Sequence, residues 1–144
     1  MIAATVFAWS LACHPDRNAA DYQPVESGVW AGRFPVQDLR HLPCEGDGSR
    51  CGLIETSEQF ADIWSRLQNV NAPGTLPDID FTQKKVAFLR NTRFVNRFRG
   101  VNTLLQGHTV FVRAATTRTA RPIVDFVEIV LFVVPFRVTR LQWD

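Results

Sequence analysis

Few residues in this chain are of the types that make and break bonds. There are three histidines, three cysteines and one close pair of aspartates in the folded region. His14, His41 and His108 are scattered, and no Gly-x-Ser-x-Gly elbow accompanies them. A catalytic triad needs nucleophile, base and orienting group within hydrogen-bond reach, and this spacing does not gather them. Ser57 is better explained as a residue that starts a helix. Asp78 and Asp80, in Pro77-Asp78-Ile79-Asp80-Phe81, are spaced like paired carboxylates for acid–base work or cation binding. They follow a proline and precede a strand, so Asx-type hydrogen bonding to the turn is the expected role. No catalytic residue, metal or cofactor is expected.

Cys44 and Cys51 bracket Glu45-Gly46-Asp47-Gly48-Ser49-Arg50. This polar loop with two glycines can fold back on itself, so a local disulfide is sterically plausible and an oxidising compartment would preserve it. A metal site fails on ligand count, because no Cys-x-x-Cys or paired histidine completes four ligands. Two free thiols are the alternative.

The arginines are the clearest surface signal. Arg90, Arg93, Arg97 and Arg99 fall within ten residues, interleaved with Phe94 and Phe98. In a strand Arg93, Arg97 and Arg99 share parity, so they would form a positive stripe. Such a stripe suits anionic lipid headgroups, acidic glycans or an acidic partner surface. Arginine with aromatics also suits single-stranded nucleic acid, but an exported protein seldom meets it, and no nucleic-acid partner is expected. The bland account is a solvated sheet face.

Export is argued from the remaining thiol. Met1 to Ala12 is uncharged and mostly apolar, and Ser10-Leu11-Ala12-Cys13 closes it. A short apolar run, a small residue and then cysteine resembles the lipobox of bacterial lipoproteins. The run is shorter than the roughly 20 residues of a membrane span and fits an export segment of about 7–15 residues. The expectation is cleavage before Cys13 and lipidation of its thiol, placing the chain in the bacterial cell envelope. A plain signal peptide, or a ragged N-terminus with a chance cysteine, is the alternative.

One domain of modest size must position these residues. The chain has 144 residues, 46% of them hydrophobic, and a net charge of +2. That charge is uneven: residues 1–84 carry six basic and eleven acidic groups, residues 85–144 ten basic and three acidic. The expected organisation is a signal peptide over 1–12, a flexible tether over 13–28 and a single β-rich domain over 29–144. Thr56-x-x-Gln59 has capping-box spacing, and Phe60, Ile63, Trp64 and Leu67 then share one helical face. Strands are expected at 29–34, 86–89 and 94–98, in a hairpin over 101–115 turning at Gln106-Gly107, then at 123–134 and 136–143. Ile129 to Val134 is continuously apolar, so this strand should be central and buried on both faces. The fold class is α+β: a mostly antiparallel sheet or sandwich-like domain with one packed N-terminal amphipathic helix.

The order of these pieces carries a resemblance. Ile54 to Trp64, Pro77-Asp78-Ile79-Asp80-Phe81 and Val86-Ala87-Phe88-Leu89, followed by the hairpin, Ala120-Arg121-Pro122, the long apolar strand and Val134-Pro135, resemble the C-terminal domain of the PrcB-type protease-complex subunit. A glycine-rich stretch common in that family is replaced here by Arg93 to Phe98. The resemblance implies a small exported β-rich domain that assists or stabilises a partner protein and is not itself a catalyst. Three functions follow as expectations: a lipid-anchored, non-enzymatic interaction domain with a protein partner; an envelope protein binding acidic glycan or lipid through the arginine stripe; and a hydrolase or metal enzyme whose pocket gathers Asp78, Asp80 and a histidine.

Overall fold

The computed structural model describes residues 17–43, 50–68, 74–91, 95–118 and 125–143, with the backbone alone at 95 and 96. In chain order the elements are β1 (Gln23–Pro24), β2 (Val29–Pro35), β3 (Cys51–Ile54), α1 (Ser57–Arg66), β4 (Lys84–Arg90), β5 (Val95–Gln106), β6 (Thr109–Arg118), β7 (Phe126–Pro135) and β8 (Arg140–Trp143). The strands form two four-stranded sheets, β1-β5-β6-β8 and β2-β7-β4-β3. Every pairing is antiparallel except β6 with β8. The molecule is a sheet-rich α+β domain.

Strand β7 lies between β2 and β4 and supplies both cores. Ile129 and Leu131 join Phe34, Ile54, Val86 and Phe88 of the same sheet, with Phe60, Ile63 and Trp64 of α1, in one buried cluster. Val130, Phe132 and Val134 point the other way and meet Val101, Val110 and Val112 of the second sheet. This explains the unbroken apolar run: alternate residues serve different clusters, so neither face tolerates a polar side chain.

Local chemistry sets the ends of the elements. Thr56 Oγ1 accepts the Gln59 N–H at 3.2 Å and caps α1. The Gln59 side chain accepts from the Glu55 N–H at 3.4 Å, one residue earlier than a standard capping box would place it. After Arg66 the chain turns extended, and Gln68 exchanges both backbone hydrogen bonds with Arg33, at 2.8 and 2.9 Å, along the open edge of β2. Gly52 is required by close approach: a Cβ there would lie 2.7 Å from the Phe88 ring and would collide with the Pro43 carbonyl.

The structure departs from three expectations. Residues 18–25 lie inside the stretch expected to be tether, yet they pack. Asn18 caps a short turn through the Ala20 N–H at 3.1 Å, Tyr22 is buried, β1 pairs with β5, and the Val25 N–H donates to Val101 O at 2.9 Å. The lone tyrosine has enough apolar area to hold this polar segment down. The last strand is shorter than 136–143, because Pro135 ends β7 and Val138 folds back on it through a 3.1 Å hydrogen bond and is fully buried. The hairpin strands are longer than expected, running from Val95 to Arg118.

Candidate functional site

The outer face of the β1-β5-β6-β8 sheet gathers the most chemistry. On β6, Val110 and Val112 point into the core, so Thr109, Phe111, Arg113 and Ala115 point outward. Ladder partners share a face, which adds Arg140, Leu104, Asn102 and Gly100. The four strands hold Arg97, Arg99, Arg113, Arg118 and Arg140, and no Asp or Glu. Arg17 reaches the same face from the N-terminal side, its guanidinium 3.8 Å from the Phe111 ring centroid. Arg113 stacks over Tyr22 at 4.3 Å and donates to Arg17 O at 3.4 Å. Stacking on rings fixes these guanidinium planes while leaving charge at the surface.

Of the expected stripe Arg93, Arg97 and Arg99, the described residues include only Arg97 and Arg99, and Arg93 lies outside them. The β5–β6 register slips between Val95 and Arg97 and again between Phe98 and Gly100. A bulged strand does not alternate simply. Arg97 and Arg99 are both exposed, and Arg99 Nε donates to Thr117 Oγ1 at 2.7 Å. Phe98 turns inward and packs beside Trp143, ring centroids 5.9 Å apart. Its N–H is taken by Glu128 Oε1 at 2.8 Å, a carboxylate from the other sheet. Burial pushes the Glu128 carboxyl up, against the opposing pull of that N–H, Arg97 and Arg33.

Arg113 and Arg17 escaped the sequence reading. Arg113 shares parity with Thr109 and Phe111, which was legible, but joining it to Arg99 requires the hairpin register. Arg17 carries no local signal.

The aspartates and histidines serve elsewhere. Asp78 and Asp80 line an open cleft of about 430 Å³ with Trp30, Gln83, Lys84 and Val133, but no histidine is among its described lining residues. Asp80 Oδ1 accepts from the Thr82 N–H at 3.0 Å and its hydroxyl at 2.6 Å, which holds the carboxyl below its usual range. This is the Asx-type turn role. His41 Nδ1 lies 3.4 Å from Asp62 Oδ2. Asp62 is itself gripped by Arg66 at 3.1 Å, which keeps the carboxyl low. Arg66 also pairs with Asp38 at 3.1 Å. His108 Nδ1 lies 2.7 Å from Arg137 O. A carbonyl can only accept, so Nδ1 carries the proton there. His14 lies outside the described residues.

Cys13 and Cys44, the expected lipidation site and one half of the expected disulfide, also lie outside the described residues. Cys51, the other half, is half-buried at the start of β3. Among the described residues no helix is long and apolar enough to cross a membrane, and no group of three or more His, Cys, Asp and Glu could hold a metal ion. No protein-family model, no characterised protein and no solved structure matches the chain.

Proposed function

We propose that this chain is a non-enzymatic interaction domain of the bacterial cell envelope, held by lipid at Cys13. It binds or stabilises a partner through the arginine face of the β1-β5-β6-β8 sheet. The observation that carries this reading is the composition of that face: Arg97, Arg99, Arg113 and Arg140, joined by Arg17, with no acidic residue in the strands. Like charges gathered on a sheet repel one another, and an anionic partner relieves that repulsion. The groups that could do acid–base chemistry support the reading from the other side. Asp62 and Asp80, with His41 and His108, are tied into structural hydrogen bonds or ion pairs.

The partner reading extends to a protein, and the resemblance of residues 54–138 to the PrcB-type domain motivates a secreted protease complex. The second reading, an acidic glycan or lipid on the same arginines, is favoured by the small residues Gly100 and Ala115, paired and exposed between them.

Two measurements test the proposal. The mass of the mature N-terminus should show diacylated Cys13, and the same non-reducing spectrum should link Cys44 to Cys51. An intact, unmodified Met1 would remove the anchor. A photo-crosslinking residue at Thr117 should capture a specific adduct in cells, lost when Arg97, Arg99 and Arg113 become Gln. Adducts formed only from Arg40, on the helix side of the molecule, would move the binding surface elsewhere.

A further inference from the structure

The arginine face has a floor. Gly100 and Ala115 are paired across β5 and β6, both exposed, and a Cβ on Gly100 would meet nothing within 4 Å. Arg99 and Arg97 stand at one end of this floor. Arg113, with Arg17 beside it, stands at the other. Arg113 and Thr117, which holds Arg99 Nε, are four residues apart on β6, or about 13 Å along the strand. Guanidinium groups standing at both ends offer positions for one extended multivalent anion or two neighbouring ones. Planar guanidinium groups match phosphate oxygens two at a time. Asp21 and Glu26 flank β1 at the sheet edge, and the strands that make the floor carry no acid.

The position of Arg17 selects the source of the phosphate. It lies four positions after Cys13, and four extended residue steps span at most about 14 Å. If Cys13 carries lipid, Arg17 is held within that distance of the membrane surface. Arg17 is also part of the arginine face, stacked on Phe111. The sheet face nearest the anchor is therefore the one whose strands carry arginines and no acids. We propose that the outer face of the β1-β5-β6-β8 sheet is the membrane-facing surface of this domain and seats the phosphates of anionic phospholipid headgroups on the Gly100–Ala115 floor. The inference rests on the anchored-domain reading above and supplies its orientation. An acyl chain supplies adhesion, and a basic patch is the usual second signal that makes anchoring firm.

The test uses the full chain with Cys13→Ala, so that no lipid contributes. The protein is sedimented with vesicles of phosphatidylcholine alone and of phosphatidylcholine with phosphatidylglycerol. Binding is expected only to the anionic vesicles and should vanish in 1 M salt, where the screening length falls to about 3 Å. Arg97→Gln with Arg99→Gln should weaken it about thirty-fold, from the usual worth of two surface arginines. Gly100→Glu, which has room for its side chain, should abolish it without lowering the melting temperature. Arg40→Gln should change nothing. A soluble acidic polypeptide, poly-glutamate, is the comparison probe. Salt-dependent binding to poly-glutamate with none to anionic vesicles would overturn the membrane assignment yet keep the anion-binding face. Binding to neither would overturn both, whatever the state of Cys13. Vesicle binding that survives Gly100→Glu would place the contact on another surface.

Discussion

Glu128 shows how a single side chain can be decisive and still be invisible to pattern reading. It immediately precedes the apolar run of β7, on the side of the strand that faces the second sheet. The register slip in β5 leaves the Phe98 N–H in need of an acceptor, and the Glu128 carboxylate supplies it across the gap between the sheets. Burial raises its pKa above the usual 4.5, against Phe98 N–H, Arg97 and Arg33. The folded state therefore keeps this proton to a higher pH than the unfolded chain does. Stability from this group is fully present below about 4.5 and is lost as pH rises through the raised value. Asp62 and Asp80 are shifted the other way, so their contribution is lost only as pH falls below their usual 3.8. Glu128→Gln keeps an oxygen for the Phe98 N–H but cannot titrate. The melting-temperature difference, variant minus parent, should become more positive from pH 4 to pH 7. A difference that is flat with pH, or that falls, would show that Glu128 is no more costly as an anion folded than unfolded.

At the scale of elements, legibility followed the reach of each signal. The α1 start was readable because Thr56 and Gln59 are close in sequence and the cap is local. The centrality of β7 was readable because continuous burial leaves a compositional trace. The tether was misjudged for the opposite reason. Residues 18–25 are polar and have no hydrophobic period. Their order comes from one tyrosine and from pairing with β5, nearly 80 residues away in sequence. The extent of the arginine face was hidden similarly, since joining Arg97 and Arg99 to Arg113 depends on the β5–β6 register and its two bulges. The physical account of β1 is testable. Tyr22→Ala removes a buried ring and the platform for Arg113. It should cost about 3 kcal/mol in denaturant unfolding, and it should raise amide exchange at Val25 before that of β6. Unchanged exchange at Val25 would mean that backbone pairing alone holds the segment.

For the molecule as a whole, β7 makes the two cores one cooperative unit. Its odd residues pack with α1 and its even residues with the second sheet. Neither layer can leave without exposing a face of the same strand. The side chains that would report each layer are already in place. Trp30 and Trp64 meet edge-on at 5.9 Å beneath α1, whereas Trp143 packs beside Phe98 between the sheets. Phe132→Ala empties a fully buried position in the inter-sheet cluster and should cost about 3–5 kcal/mol. The loss should appear equally in both layers. Amides of α1 and of β6 should become exchange-labile at the same denaturant concentration, in the variant as in the parent. If α1 kept its protection while β6 lost it, the strand would not couple the layers. The arginine face would then sit on a sheet able to open by itself, too loosely held to keep guanidinium groups at fixed spacing above Gly100 and Ala115. Coincident loss is what a rigid, preorganised binding face requires, because ordering those side chains at the moment of contact would subtract from affinity.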